Sequence, residues 1–161
     1  MVKSERRHRM KYAAAAAAVF AGDFFLKEHV EQRRGWNEET ELLGGRIVWK
    51  KYHNRGAALN CMEKRPGLVK KISGMMLLIL GILWFFFFRK KENPAVLLGL
   101  SLVLGGGGSN YYDRLRRGYV VDYFSFRTPW KWLNQIIFNI SDLCIFLGLF
   151  MAVLAESRRS V

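Results

Sequence analysis

The sequence predicts an all-α integral membrane protein with four transmembrane helices. Three observations lead there. The apolar residues come in long blocks, Met75–Phe88, Ala95–Leu104 and Leu143–Ala155, rather than alternating at helix or strand period. An alanine-rich run, Ala13–Ala18, extends into further apolar residues and supplies a fourth block. The basic residues behind the formal charge of +13 flank these blocks instead of forming one face of a soluble fold. Anchoring at anionic lipid headgroups explains that placement better than nucleic-acid binding, so membrane lipids are expected as partners and nucleic acid is not. A chain of 161 residues suggests one domain, residues 1–161.

The first span is read over residues 12–30, after a basic N-terminus. The V-F-A at Val19–Ala21 also resembles a signal-peptide cleavage site, but the helical pattern continues past it to Leu26. Asp23 and Lys27 are four apart, so on a helix they share a face and can pair. Residues 31–71 form a polar outer connector. Arg46–Tyr52 within it favours a strand, and Gly44-Gly45 marks a turn before it. Asn54-Arg55-Gly56-Ala57-Ala58 reads either as an ordinary turn or as a place where small residues let another backbone approach.

The second span covers residues 72–88, and Asn93-Pro94 turns the chain. The third covers residues 95–112 and is read as interrupted by Gly105–Gly108, since each glycine weakens a helix by about 1 kcal/mol relative to alanine. The same glycines permit close helix contact in a membrane. They are not a phosphate-cradling loop, because the Gly-Lys-Ser/Thr ending is absent. Gly118 ends the helix, and Val120–Phe124 reads as extended. Tyr123, Phe124, Phe126, Trp130 and Trp132 suit an interfacial aromatic belt. The last span is read over residues 136–155, with Asn139 and Asp142 one to two turns inside it. An even number of spans puts both termini on one side. The density of Lys and Arg favours cytoplasmic termini, whereas their raw number favours the opposite side.

Cys61 and Cys144 define no disulfide framework and lack the Cys/His company of a metal site. No metal and no other cofactor is expected.

The chemistry concentrates between Ser109 and Asp142. A carboxylate at the centre of a spanning helix costs about 2.5–3.5 kcal/mol on insertion scales, so Asp113, Asp122 and Asp142 are candidates for function. With the termini inside, Asp122 and the start of the last span lie at the outer surface. Two carboxylates brought together share a proton. One can then act as base on a water while the other protonates a carbonyl oxygen, which suits direct amide hydrolysis. No serine, cysteine or threonine stands at a convincing spacing from a histidine or lysine for nucleophilic catalysis. The competing reading pairs the aspartates with Arg114, Arg116 and Arg117 as ion pairs, and for Asp113 next to Arg114 that reading is favoured. Two further readings are a proton-coupled transporter relaying through Asp23, Lys27, Asp113 and Asp142, and a non-catalytic scaffold. The transporter needs inverted repeats, which the sequence does not display. The scaffold leaves the clustering of Asn and Asp unexplained.

The motifs N-x-G-A-A (Asn54–Ala58), N-x-x-D-R-x-x-x-G-x-V-V-D (Asn110–Asp122), F-N-x-x-D (Phe138–Asp142) and D-x-x-x-K (Asp23–Lys27) resemble those of lipoprotein signal peptidase, signal peptidase II. The resemblance implies a bacterial inner-membrane aspartyl endopeptidase that cuts prolipoproteins just before a diacylglyceryl-modified cysteine. It implies Asp122 and Asp142 as the catalytic pair. Asn110 and Asn139 would hold that pair and the substrate, Arg114 would belong to the binding pocket, and Asn54, with Gly56 in the same motif, to an outer cradle. Asp23 and Lys27 would be supporting residues of the first span, and Asp113 structural. The implied fold adds a small extracytoplasmic β-sheet, the cradle, to which Arg46–Tyr52 would contribute. The enzyme is expected to act as a monomer. Ser109, Leu59 and Phe24 depart from the family pattern, standing where glycine, phenylalanine and glutamine are usual.

Overall fold

The structure, a computed structural model, describes residues 2–57, 61–90 and 93–158. Long helices α1 (Val2–Arg33), α2 (Pro66–Lys90), α3 (Pro94–Arg116) and α5 (Ile140–Ser157) make up most of it. Strands β1 (Thr40–Leu42), β2 (Ile47–Asn54) and β3 (Val120–Phe126) form a small antiparallel sheet in the order β1-β2-β3, and α4 (Lys131–Asn134) is a single turn. The first two strands connect α1 to α2 and the third connects α3 to α5, so the sheet sits at one end of the helices.

α3 is central and packs against α1, α2 and α5. The expected interruption at Gly105–Gly108 does not occur, for the helix runs unbroken from Pro94 to Arg116. Tertiary contact outweighs the low helix propensity of the glycines. Successive residues on a helix turn by about 100°, so the run presents bare backbone to three neighbours at one level. Gly105 meets the Ala16 carbonyl of α1, Gly106 the Ser141 carbonyl of α5, and Gly107 the Leu77 side chain of α2. A methyl group on Gly106 would lie 2.6 Å from the Ser141 oxygen. Gly99 and Gly148 repeat this between α3 and α5, where a methyl on Gly99 would lie 2.5 Å from the Gly148 oxygen.

The ends of the helices also differ from expectation. α1 starts ten residues before the expected first span, and α2 begins at Pro66 rather than 72. The last helix begins at Ile140, not 136. The reason lies in strand β3. The Tyr123 and Phe124 N–H groups donate to the Phe138 carbonyl, and the Phe138 N–H donates to the Phe124 carbonyl, at 2.7–3.0 Å. This bridge holds the chain before Asn139 in an extended state. Asn139 is therefore the N-cap of α5, and Asp142 stands in its first turn instead of one to two turns inside.

The turn at Gly44-Gly45 is present, with both residues at positive φ. Tyr123 and Phe124, expected in an aromatic belt, are instead buried with Val30 and Val121 between β3 and the end of α1. Trp130 and Trp132 remain exposed. Outward-facing α2 and α5 expose a band of large apolar side chains, including Met75, Leu78, Ile82, Phe86, Phe146 and Phe150. Both helices are long and apolar enough to cross a membrane. α1 and α3 turn their polar residues inward, and Asp23, Lys27, Ser109, Asn110 and Asp113 are all buried.

Candidate active site

Lys27 organises the buried polar interior. An ammonium group has three donors and no acceptor, and every group around Lys27 Nζ is an oxygen: Asp23 Oδ2 at 2.7 Å, Asn110 Oδ1 at 2.6 Å, Ser109 Oγ at 3.2 Å and Asp113 Oδ2 at 3.4 Å. Asp23 in turn accepts from Ser109 and Ser141 at 2.7 and 2.6 Å on Oδ2, and from the Tyr123 hydroxyl at 2.8 Å on Oδ1. The Tyr123 oxygen accepts the Ile140 N–H at 3.0 Å. α1, α3, β3 and the start of α5 are thus joined through one charged pair.

This network fixes the two asparagines. Because Asn110 Oδ1 faces an ammonium, Asn110 Nδ2 must point the other way, and it donates to Asp142 Oδ1 at 2.9 Å. Asn139 Oδ1 accepts the Asp142 N–H at 2.9 Å as the helix cap, so Asn139 Nδ2 faces away and donates to Asp122 Oδ1 at 2.7 Å and to Asn110 Oδ1 at 3.2 Å. Asp142 Oδ2 accepts the Asn139 N–H at 3.2 Å, which completes a capping box. Asn54 at the end of β2 donates to Asp122 Oδ2 at 3.1 Å. Among the described residues each of the four carboxylate oxygens of Asp122 and Asp142 therefore accepts one hydrogen bond, and none forms an ion pair. Both carboxylates line one cavity of about 360 Å³ together with Asn54, Asn110 and Arg114. Burial, and then the Asp142 charge, pushes the Asp122 carboxyl well above the usual carboxylate range, against the opposing hydrogen bonds from Asn54 and Asn139.

The structural ion pair expected of Asp113 is present, but its partner is not the adjacent Arg114. Asp113 pairs with Arg117 at 2.8 Å and with Lys27, and it accepts the Val121 N–H at 3.0 Å. Helix geometry explains this, since residues four apart share a face and adjacent ones do not. Arg117 also pairs with Glu28 of α1. Arg114 instead reaches the carbonyls of Gly56 at 3.0 Å and Asn110 at 3.3 Å, and its buried Nε has no partner among the described residues. Gly56 thereby joins the rim of the site, and its N–H is held by Asn54 Oδ1 at 3.0 Å. Ala58 and Leu59, the end of that motif and its departure, lie outside the described residues.

Sequence reasoning missed Ser141 and Tyr123, and it treated Ser109 as only a departure. All three are buried hydroxyls held by Asp23. The available signal was a hydroxyl next to Asn110 and another between Asn139 and Asp142. Phe24, the other departure, packs edge-on against Tyr112 with ring centres 5.5 Å apart. A wide separation of Asp122 from Asp142 would favour the transporter reading, whereas the two carboxylates line one cavity and are linked through Asn139 and Asn110.

Comparison with known proteins identifies the fold and the family. The fold is shared with two solved bacterial membrane enzymes. One has a TM-score of 0.81 at 21% identity, covering 93% of this chain and 89% of that one. The other has 0.76 at 22%, covering 91% and 92%. A lipoprotein signal peptidase of Trichormus variabilis is 30% identical over 96% of this chain and 93% of its own length. One of Lactiplantibacillus plantarum is 28% identical over 91% and 94%. The family model for signal peptidase (SPase) II matches residues 15–158, and the chain belongs to that family of aspartic peptidases.

Proposed function

We propose that this chain removes the signal peptide of prolipoproteins, cutting just before a diacylglyceryl-modified cysteine, and that Asp122 and Asp142 activate the attacking water. One observation carries the proposal. Buried Asp122 and half-buried Asp142 are bridged by neutral amide donors, and among the described residues no cation pairs with either carboxylate. Ion pairing would hold both ionised, whereas neutral donors leave the pair free to hold one proton between them. The ionised member takes a proton from water, and the protonated member donates to the carbonyl oxygen of the scissile amide. Collapse of the tetrahedral intermediate returns a proton to the leaving amine. Asn54, Asn110 and Asn139 keep the four oxygens oriented throughout. Arg114, with an unmatched buried N–H, offers a donor to a substrate carbonyl.

In this reading α1, α2, α3 and α5 all span the membrane, the sheet lies at the outer face and both termini are cytoplasmic. At 1.5 Å per residue the 23 residues of α3 extend about 35 Å, enough for a hydrocarbon core of about 30 Å. The exposed apolar band of α2 and α5 suits contact with lipid. An apolar slot of about 490 Å³ between α2, α3 and α5 opens beside Asn110 and Arg114 and suits an acyl chain. Residues 1–161 act as one unit, as a monomer, on lipid-modified substrates.

The test is cleavage by the purified protein of one prolipoprotein with and without the diacylglyceryl group. A new N-terminus at the modified cysteine, formed only from the lipidated form, is expected. Cutting elsewhere, or no cutting, contradicts the reading.

A further inference from the structure

The cavity around the carboxylates continues in two directions, and the continuations differ in chemistry. Toward the helices it shares Ala57, Asn110 and Arg114 with the slot between α2, α3 and α5, whose remaining walls are almost all apolar. Toward the sheet it shares Asn54, Asp122, Ile136 and Ile137 with a cavity of about 500 Å³ that ends on Tyr52, Trp132 and Gln135. Asp122 thus stands between an apolar slot and a polar, aromatic one.

We propose that the sheet-side cavity binds the residues that directly follow the modified cysteine, and that Trp132 and Gln135 select among their side chains. This rests on the cleavage reading above. The modified cysteine lies on the carboxyl side of the bond to be cut. With its acyl chains in the apolar slot, the chain after it must leave the carboxylates by another route. That chain is ordinary polar peptide bound for water, and the sheet-side cavity offers matching groups. Tyr52 is paired in register with Asp122 across β2 and β3, which fixes it beside the reacting centre. The Gln135 amide has one donor group and one acceptor, the complement of a peptide unit, and makes no other interaction among the described residues. Trp132 is 64% exposed, and its indole N–H is equally uncommitted. Among the described residues no basic side chain lines this cavity, and its one charged member is Asp122. Selection there rests on hydrogen bonding and size, and acidic residues are disfavoured by the carboxylate pair.

The test uses the full chain in detergent with three synthetic diacylglyceryl peptides identical up to the cysteine. One ends there as the amide, one continues with two serines, and one continues with two aspartates. The di-serine peptide is expected to show a KM about tenfold below that of the cysteine amide, the order of one added hydrogen bond with partial burial. The di-aspartate peptide is expected to lose that advantage. In Gln135→Ala and in Trp132→Ala the long-to-short ratio of kcat/KM should fall severalfold. That ratio is internal to each protein, so loss of folded enzyme does not move it. Equal KM for the long and short peptides with the wild-type chain overturns the subsite alone, as do variants that keep the wild-type ratio. A wild-type chain that cuts none of the three overturns the peptidase reading and the subsite with it.

Discussion

Asn139 Nδ2 lies 2.7 Å from Asp122 Oδ1, while Asn139 Oδ1 caps the helix that carries Asp142. One side chain therefore sets the relative position of two carboxylates that are twenty residues apart in sequence. The bridge between Phe124 and Phe138 makes this possible by bringing the chain before α5 alongside β3.

The two tasks of Asn139 separate by mutation. Serine caps a helix about as well as asparagine but is too short to reach Asp122. Asn139→Ser should retain most of the stability and lose on the order of 10²-fold in cleavage rate, as for removal of one preorganised donor. Asn139→Ala should lose a similar rate and about 1 kcal/mol more stability through the missing cap. Thermal unfolding and initial rates on a lipidated substrate measure both, and a serine variant with wild-type activity contradicts the account.

Lys27 is 1% exposed and compensates two buried aspartates. Lys27→Met should destabilise the protein by about 3–5 kcal/mol, because it leaves uncompensated buried charge. Adding Asp23→Asn should recover part of that loss. Denaturation in detergent distinguishes this from independent effects, in which the double variant is less stable than either single one.

The glycine run gives a graded test. Gly106→Ala places a methyl 2.6 Å from the Ser141 carbonyl and should cost about 1–3 kcal/mol by overpacking. Gly107→Ala meets only Leu77, at 3.4 Å, and should be tolerated. Equal Tm values for the two variants contradict the packing described for α3 and α5.

Asp122 holds its proton above the usual carboxylate range because of burial and the charge of Asp142. The folded state then binds more protons than the unfolded one between the ordinary carboxylate pKa and the raised value, so stability declines as pH rises through that window. Asp122→Asn removes this titration. Its Tm should fall less than that of the wild type between the ordinary value and the raised one. On the same grounds, cleavage should decline on the alkaline side, where the pair loses its shared proton. A variant with the full wild-type slope contradicts the protonation assigned to Asp122.

Much of this site was legible because polar residues stand out in apolar sequence. Asp23, Lys27, Asn110, Asp122, Asn139 and Asp142 announce themselves that way, and helix spacing correctly pairs Asp23 with Lys27. What escaped depends on contacts between distant segments. Gly105–Gly108 reads as a helix breaker when its neighbours are unknown, and only the carbonyls of Ala16 and Ser141 explain it. Ile136–Phe138 reads as helix because it is apolar, and only the bonds of Phe138 to β3 hold the chain there out of α5. Tyr123 reads as an interfacial aromatic, and its hydroxyl bond to Asp23 crosses a hundred positions in sequence. β1 is three residues long and carries no pattern of its own.

The central claim is that Asp122 and Asp142 act together on one water. The direct measurement is the single-turnover cleavage rate of a diacylglyceryl-prolipoprotein by Asp122→Asn, Asp142→Asn and the double variant, each checked for cooperative unfolding. The account predicts that either single substitution abolishes cleavage and that the double variant is no worse. A single variant that stays folded and still processes the substrate at the wild-type rate contradicts it.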